Sequence, residues 1–343
     1  MNALVLGGSV FVGRRLVEML VAGGHQVTVL NRGRTPSELP GGVQHLVADR
    51  TDRQSMRAAL DARTWDAIFD VSGFVMAAGG SDVDDLLDLV DGSVGHYVYV
   101  SSIMAYDQRR VGVMPWTEDM PTDTSGPRTY GGFKAMAEAA MLDRHRRTGF
   151  PVTVVRPAAI YGPCNNIYDM ETPMFLRLLR HLPILLPHEG LVTGSYGHVD
   201  DLVALMIATI GQPAALGEVF NVTAEAVTSR HYIDVLSAIV GIDADVRMVP
   251  HGTLSVLPGG IFCHLFSDRH HAVLSTDKAR RLLEFKPKFG FESGHRDTYR
   301  WFCDQGLADL DHALADPVWH ASWDFAAEAA AAEQLAPCPA VSR

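Results

Sequence analysis

The 343-residue chain has little cysteine, no long apolar run and no block of positive charge. Its four cysteines, Cys164, Cys263, Cys303 and Cys338, are scattered without a CxxC pair, which argues against a disulfide framework or zinc knuckle and fits reduced thiols. No apolar stretch approaches the roughly 20 residues that cross a bilayer, so no membrane partner is expected. The start of the chain lacks the basic region and cleavage site of a signal peptide, and a cytoplasmic protein is expected. Lysine and arginine total 29 against 40 aspartate and glutamate, giving a formal charge of −11. Such a chain repels a polyanion, and with no basic run to track phosphates no nucleic-acid partner is expected. His264, His270 and His271 cluster near Asp268, but their spacing matches no ligand signature and no metal is expected. Internal repeats are also lacking.

What is present is a globular composition, 47% hydrophobic and 20% charged, on a chain long enough for a cofactor domain with a substrate subdomain. Apolar segments of strand length at 3–6, 26–30, 44–48, 67–70, 96–100 and 152–155 alternate with helical periodicity at 14–22, 53–60, 82–90 and 136–147. Gly23-Gly24 and Gly149 act as helix stops. This alternation predicts an α/β class, with a Rossmann-type doubly wound parallel sheet mainly over residues 1–162. Beyond Gly162-Pro163 the rhythm is broken by Pro173, Pro183 and Pro187. A smaller interleaved C-terminal substrate subdomain is expected over 163–320, with segments near 198–222 returning to the Rossmann part. Helices are predicted at 202–210, 231–240, 277–284 and 292–301, and a returning strand at 218–222. The alanine-rich stretch 321–343 is expected to be a peripheral tail.

The first chemical signal is Gly7-Gly8-Ser9-Val10-Phe11-Val12-Gly13, where the first strand meets the first helix. Glycines there let the backbone approach a pyrophosphate, and the helix supplies N–H groups and the positive end of its dipole. Gly7, Ser9, Phe11, Val12 and Gly13 are therefore cofactor candidates, although Val10 replaces the middle glycine of GxGxxG. After the second strand comes Asn31-Arg32-Gly33-Arg34, where an acidic residue would hold the ribose 2′-hydroxyl of NAD. Arg32 and Arg34 favour the 2′-phosphate of NADP; Asn31 keeps NAD open, because it also bonds a hydroxyl. Asp49 and Arg50 after the third strand, and Val71, Ser72 and Gly73 after the fourth, complete a cradle. Asp49 is placed to accept from the adenine amino group, with turn capping by Asp49 and Asp70 as the alternative.

The fifth strand runs into Ser101-Ser102, and Tyr130 and Lys134 follow at the start of a helix. At i and i+4 they share one face. Lowering a phenol by three units from its ordinary value near 10 requires about 4 kcal/mol of phenolate stabilisation, much of which a neighbouring ammonium and a nicotinium ring could supply. Tyr130 then moves the hydroxyl proton, Lys134 tunes Tyr130 and holds the cofactor ribose, and Ser102 donates to the substrate oxygen. YxxxK alone is common by chance; its order after the glycine turn and the serine carries the reading.

With Gly7-Gly8-x-x-Phe11-Val12-Gly13, Ser101-Ser102, Tyr130-x-x-x-Lys134, Arg156-Pro157-Ala158-Ala159-Ile160-Tyr161-Gly162-Pro163, His198-Val199-Asp200-Asp201 and Asp277-Lys278-Ala279 in this order, the sequence resembles the extended short-chain dehydrogenase/reductase (NAD(P)-dependent epimerase/dehydratase) family. Asn-Arg-Gly at 31–33 and Asp-Val-Ser-Gly at 70–73 look most like its epimerase-like branch, which includes chloroplast stem-loop-binding proteins. The resemblance implies catalytic roles for Ser102, Tyr130 and Lys134, a cofactor contact at Pro157, and a homodimer formed through the helices near 82–90 and 136–147. Family dehydratases and decarboxylases carry an acid just after the catalytic serine or threonine, whereas Ile103-Met104 stands here. UDP-sugar epimerases place a diphosphate-binding arginine where this chain has Gly194-Ser195-Tyr196, so a nucleotide is not required of the substrate. Phe74, Met104, Asn165, Asn166, Arg177, Tyr196 and Arg269 are candidate substrate contacts. The expected function is an NAD(P)-dependent epimerase of a sugar or sugar nucleotide working by transient oxidation. A ketoreductase/dehydrogenase or dehydratase of the same family is the enzymatic alternative, and an RNA-binding protein the non-enzymatic one.

Overall fold

A computed structural model describes residues 1–35, 39–72, 81–165, 170–251, 270–315 and 324–335. The expectations for Gly73, Phe74, Asn166 and Arg269 lie outside these residues. The chain runs β1 (Asn2–Leu6), α1 (Phe11–Ala22), β2 (Gln26–Asn31), β3 (Gln44–Val47), α2 (Arg53–Leu60), β4 (Ala67–Asp70), α3 (Ser81–Val90), β5 (Tyr97–Val100), α4 (Tyr130–Thr148) and β6 (Val152–Pro157). With the strand Val219–Val222 these form a seven-stranded sheet in the order Val219–Val222, β6, β5, β4, β1, β2, β3. Every pairing is parallel.

The period of two along each strand sorts side chains between the faces. In β1, Ala3 and Val5 join Leu16, Val17 and Leu20 of α1 and Leu202 and Leu205 of the helix Val199–Ala208. Leu4 and Leu6 join Met56 of α2, Leu86 and Leu87 of α3 and Met141 of α4. Each such aliphatic side chain contributes about 1.5–3 kcal/mol by leaving water, so both faces are closed by helices and the strands read as continuous apolar runs. The strand order reverses direction between β1 and β4. The carboxyl ends of these two strands are where an open α/β sheet binds ligands.

Two compact units are present. The first comprises Met1–Ile160, Val199–Thr223 and Leu274–Lys288; the second comprises Tyr161–His198, Ala224–Val273 and Phe289–Arg343. Leu274–Lys288, which carries the helix Asp277–Leu283, is thus a second returning segment. In the second unit Thr193–His198 pairs antiparallel with Glu225–Thr228, and Val246–Val249 pairs parallel with Ile184–Pro187. The alanine-rich stretch carries a helix, Phe325–Ala332, that is docked rather than peripheral: Ala331 and Ala332 pack with Leu185 and Val249, and Glu328 is buried. Among the described residues no helix is long and apolar enough to cross a membrane.

Candidate active site

At the end of β1, Gly7 has φ 94°, and a Cβ there would lie 2.5 Å from the Ser72 Cβ. A Cβ on Gly13 would lie 2.0 Å from the Gly7 carbonyl oxygen. Both positions therefore require glycine, one for its backbone angle and both for close approach. Val10, the odd residue of the sequence motif, is the N-cap of α1 and makes no side-chain capping bond. No Val10 side-chain acceptor competes for the first-turn N–H groups, which suits them to an anionic group. Phe11 is buried with φ 37°, and Val12 is half-buried.

Asn31 ties the turn to the loop after β2. Its Nδ2 donates to Ser9 Oγ at 2.7 Å, its Oδ1 accepts from the Gly33 N–H at 2.7 Å, and His45 Nε2 lies 2.9 Å from the same oxygen. Arg32 and Arg34 are exposed beside it. Asp49 caps its own turn, accepting from the Thr51 N–H at 3.0 Å and from Thr51 Oγ1 at 2.8 Å. These bonds to Thr51, then the charges of Arg32 and Arg34, hold its carboxyl below the usual range.

Arg50, expected to face the cofactor, turns inward. Its guanidinium donates to Asp70 at 2.8 and 3.0 Å and to Ser72 Oγ at 3.2 Å. The cause is Asp70, a fully buried carboxylate that also accepts from Tyr97 Oη at 2.8 Å. An unpaired charge there would be strongly destabilising. Burial pushes Asp70 up, but Arg50 and Tyr97 outweigh it and hold the carboxyl below its ordinary value. Sequence reasoning offered Asp70 only as a turn cap and missed Tyr97. The available signal was an arginine after β3 and an aspartate ending β4, two strands that lie on opposite sides of β1 in the sheet.

The helix α4 starts at Tyr130, earlier than the periodicity from 136 suggested. Thr129 caps it, accepting from the Gly132 N–H at 3.0 Å, and Asp123 braces the cap by accepting from Thr129 Oγ1 at 3.0 Å and from Ser125. Two glycines follow, at a cost of about 1 kcal/mol each in a helix interior. Their role is close approach: a Cβ on Gly131 would lie 2.1 Å from the Met104 carbonyl oxygen, and one on Gly132 would lie 2.4 Å from that of Gly126. The absent side chain of Gly131 lets the first turn of α4 lie against the short turn Ile103–Ala105, which is capped by Ser102, and that of Gly132 lets it lie against Ser125 and Gly126. Ser102 is buried, and its Oγ accepts from the Met104 N–H at 3.1 Å.

Lys134 is also buried, and its Nζ donates to the Val100 carbonyl at 2.7 Å. The ammonium lies 4.9 Å from the Tyr99 ring centroid and 5.7 Å from that of half-buried Tyr130. Burial pulls Lys134 down to about 8; Asp70 and Glu138 oppose that fall and Arg50 adds to it. The strand end, the serine turn and the helix start thus converge through backbone contacts. Val71 and Ser72 follow β4, and buried Pro157 ends β6.

The candidate substrate contacts divide. Met104, next to Ser102, is 44% exposed. Three others serve the interior of the second unit. Asn165 is buried and donates to both Glu171 carboxylate oxygens at 3.1 Å. Tyr196 is buried against Tyr232 and Phe291. Arg177, expected to reach substrate, is 2% exposed and its Nε pairs with Glu328 at 2.9 Å, with Phe325 beneath the guanidinium. Its partner lies 151 residues away in the chain, which is why local sequence gave no hint. Among the described residues no group of His, Cys, Asp or Glu is arranged to hold a metal ion.

Comparison with known proteins gives this geometry a family. The chain is 28% identical over 309 residues to the chloroplast stem-loop binding protein of 41 kDa b of Arabidopsis thaliana, covering 86% of this chain and 78% of that protein. Its fold is similar to that of UDP-glucose 4-epimerase from Thermotoga maritima, solved with UDP-glucose, with a TM-score of 0.76, 22% identity and coverage of 89% and 99% of the two chains. It is similar too to dTDP-glucose 4,6-dehydratase from Bacillus anthracis, solved with NAD, with a TM-score of 0.75, 19% identity and coverage of 91% and 99%. The profile of the NAD dependent epimerase/dehydratase family matches residues 3–223, so the chain belongs to that family.

Proposed function

We propose that this protein is an NAD(P)-dependent epimerase acting on a sugar or sugar nucleotide through transient oxidation. The observation that carries the reading is the buried Lys134 ammonium one helical turn from Tyr130, beside a Ser102 that is followed by Ile103 and Met104 rather than by an acid. A bound nicotinamide would supply reversible hydride acceptance. The turn at Gly7 and Gly13 and the N-terminus of α1 would hold the diphosphate. Asn31, Arg32 and Arg34 would hold the adenosine end, with NADP favoured by the two arginines.

Tyr130 Oη would take the hydroxyl proton when the substrate carbon is oxidised and give it back when that carbon is reduced. Lys134 stabilises the phenolate form, and Ser102 Oγ orients the reacting oxygen. Elimination of water would call for a carboxylic acid after Ser102, which favours epimerisation over dehydration. A cytoplasmic homodimer through α3 and α4 belongs to the same reading.

Purified protein carrying its cofactor tests it. Turnover is expected without net change in reduced-nicotinamide absorbance, and Tyr130→Phe is expected to abolish turnover while the cofactor stays bound. Stoichiometric consumption of NAD(P)H would make the protein a ketoreductase or dehydrogenase. Tight, salt-sensitive binding of a stem-loop RNA would favour the reading suggested by the Arabidopsis relative, against which the net charge of −11 stands.

A further inference from the structure

Lys134 presents a physical problem. An ammonium carries three donors and is strongly hydrated in water, yet this one is 3% exposed and its hydrogen-bond acceptor is the neutral Val100 carbonyl. A carbonyl alone does not offset removal of a cation from water.

The charged and titratable groups around it come from each packed element. Asp70 ends β4, Arg50 follows β3, Tyr97 and Tyr99 lie on β5, and Tyr130 and Glu138 lie one turn either side of it on α4. Glu138 is saturated by Arg156 of β6, with contacts of 2.6, 3.0 and 3.1 Å. Asp70 stands in register with Tyr99, the residue whose ring lies under the ammonium and which precedes Val100. Arg50 donates directly to the same carboxylate and also to Ser72 Oγ, beside the glycine turn.

We propose that Asp70 is a positioning residue for Lys134: its buried carboxylate, held by Arg50 and Tyr97, is the counter-charge that keeps the ammonium protonated and seated beside Tyr130. The inference rests on the reading of Lys134 as the electrostatic partner of Tyr130. It extends that reading by linking the lysine to the glycine turn through Arg50 and Ser72. In agreement, Asp70 raises the lysine's proton affinity more than Arg50 lowers it.

The chain has four lysines, Lys134, Lys278, Lys286 and Lys288. NMR of labelled lysine ε-carbons therefore follows Lys134 as one of four signals, assigned with Lys134→Gln, and the purified full chain is titrated without substrate. Asp70→Asn is expected to lower the Lys134 midpoint, and Arg50→Gln to raise it, each by about one pH unit or more. A role confined to stability would leave the midpoints in place. Unchanged midpoints in folded single variants, or shifts in the same direction, would overturn the proposal.

The double variant Arg50→Gln with Asp70→Asn leaves no buried ion of the pair unpaired and keeps the question answerable if the single variants do not fold. A modest fall in its midpoint supports the proposal and no fall overturns it. Because the readout is the lysine's own titration, its failure leaves the epimerase reading standing. Failure of that reading would appear instead as turnover surviving in Tyr130→Phe.

Discussion

Asp70 and Glu171 are both fully buried carboxylates, one in each unit, and their surroundings drive them in opposite directions. Asp70 has a guanidinium and a phenol, and it is held below its ordinary value. The described partners of Glu171 are neutral, the Gly162 N–H at 3.0 Å and Asn165 Nδ2 at 3.1 Å, and burial pushes it up to about 7. At Glu171 the neutral donors do not offset burial, whereas at Asp70 a counter-charge together with the phenol does. The first unit therefore contains a permanent charge beside its candidate active site, while the second contains an acid that titrates near neutrality.

The difference yields opposite pH dependences. Asp70, with its value depressed on folding, contributes stability that is present above its unfolded value and is lost as pH falls through the native one. Glu171, with its value raised, contributes stability that is complete below its ordinary 4.5 and is lost as pH rises toward 7. The largest test breaks the charged pair. Asp70→Asn strands Arg50 in the interior and is expected to lower stability at neutral pH by about 3–5 kcal/mol in urea denaturation. Next, Glu171→Gln should abolish a decline on the order of 3 kcal/mol between pH 4.5 and 7, read from denaturation midpoints across that range. A wild-type curve flat over the window would contradict the assignment. The smallest change is Tyr97→Phe, which removes one donor from Asp70 and keeps the ring. It should cost about 1 kcal/mol and leave the counter-charge intact.

Much of the first unit was legible because buried parallel strands write themselves as short apolar runs: β1, β2, β4 and β6 fall where those runs do. The glycine turn, Ser102 and the Tyr130–Lys134 pair were legible as spacing. The second unit was harder to read. Thr193–His198, with the sequence TGSYGH, carries no strand-like alternation and is a strand because Glu225–Thr228 pairs with it. Long-range partners were equally hidden. Arg177 looks like a substrate contact until Glu328 folds onto it, and Arg50 looks like a cofactor contact until β4 delivers Asp70. Charge type is visible in a sequence, but the partner that uses it is supplied by topology.

Gly131 and Gly132 set a boundary on how this protein can be altered. The first atom that a Cβ at either position would strike is a main-chain oxygen, with Ser125 Oγ also in the way at Gly132. No substitution elsewhere can make room by trimming a neighbour. An engineer seeking a new substrate preference should randomise Met104 and leave the two glycines fixed, since a library that varies them is expected to fill with chains whose serine turn and tyrosine helix have parted.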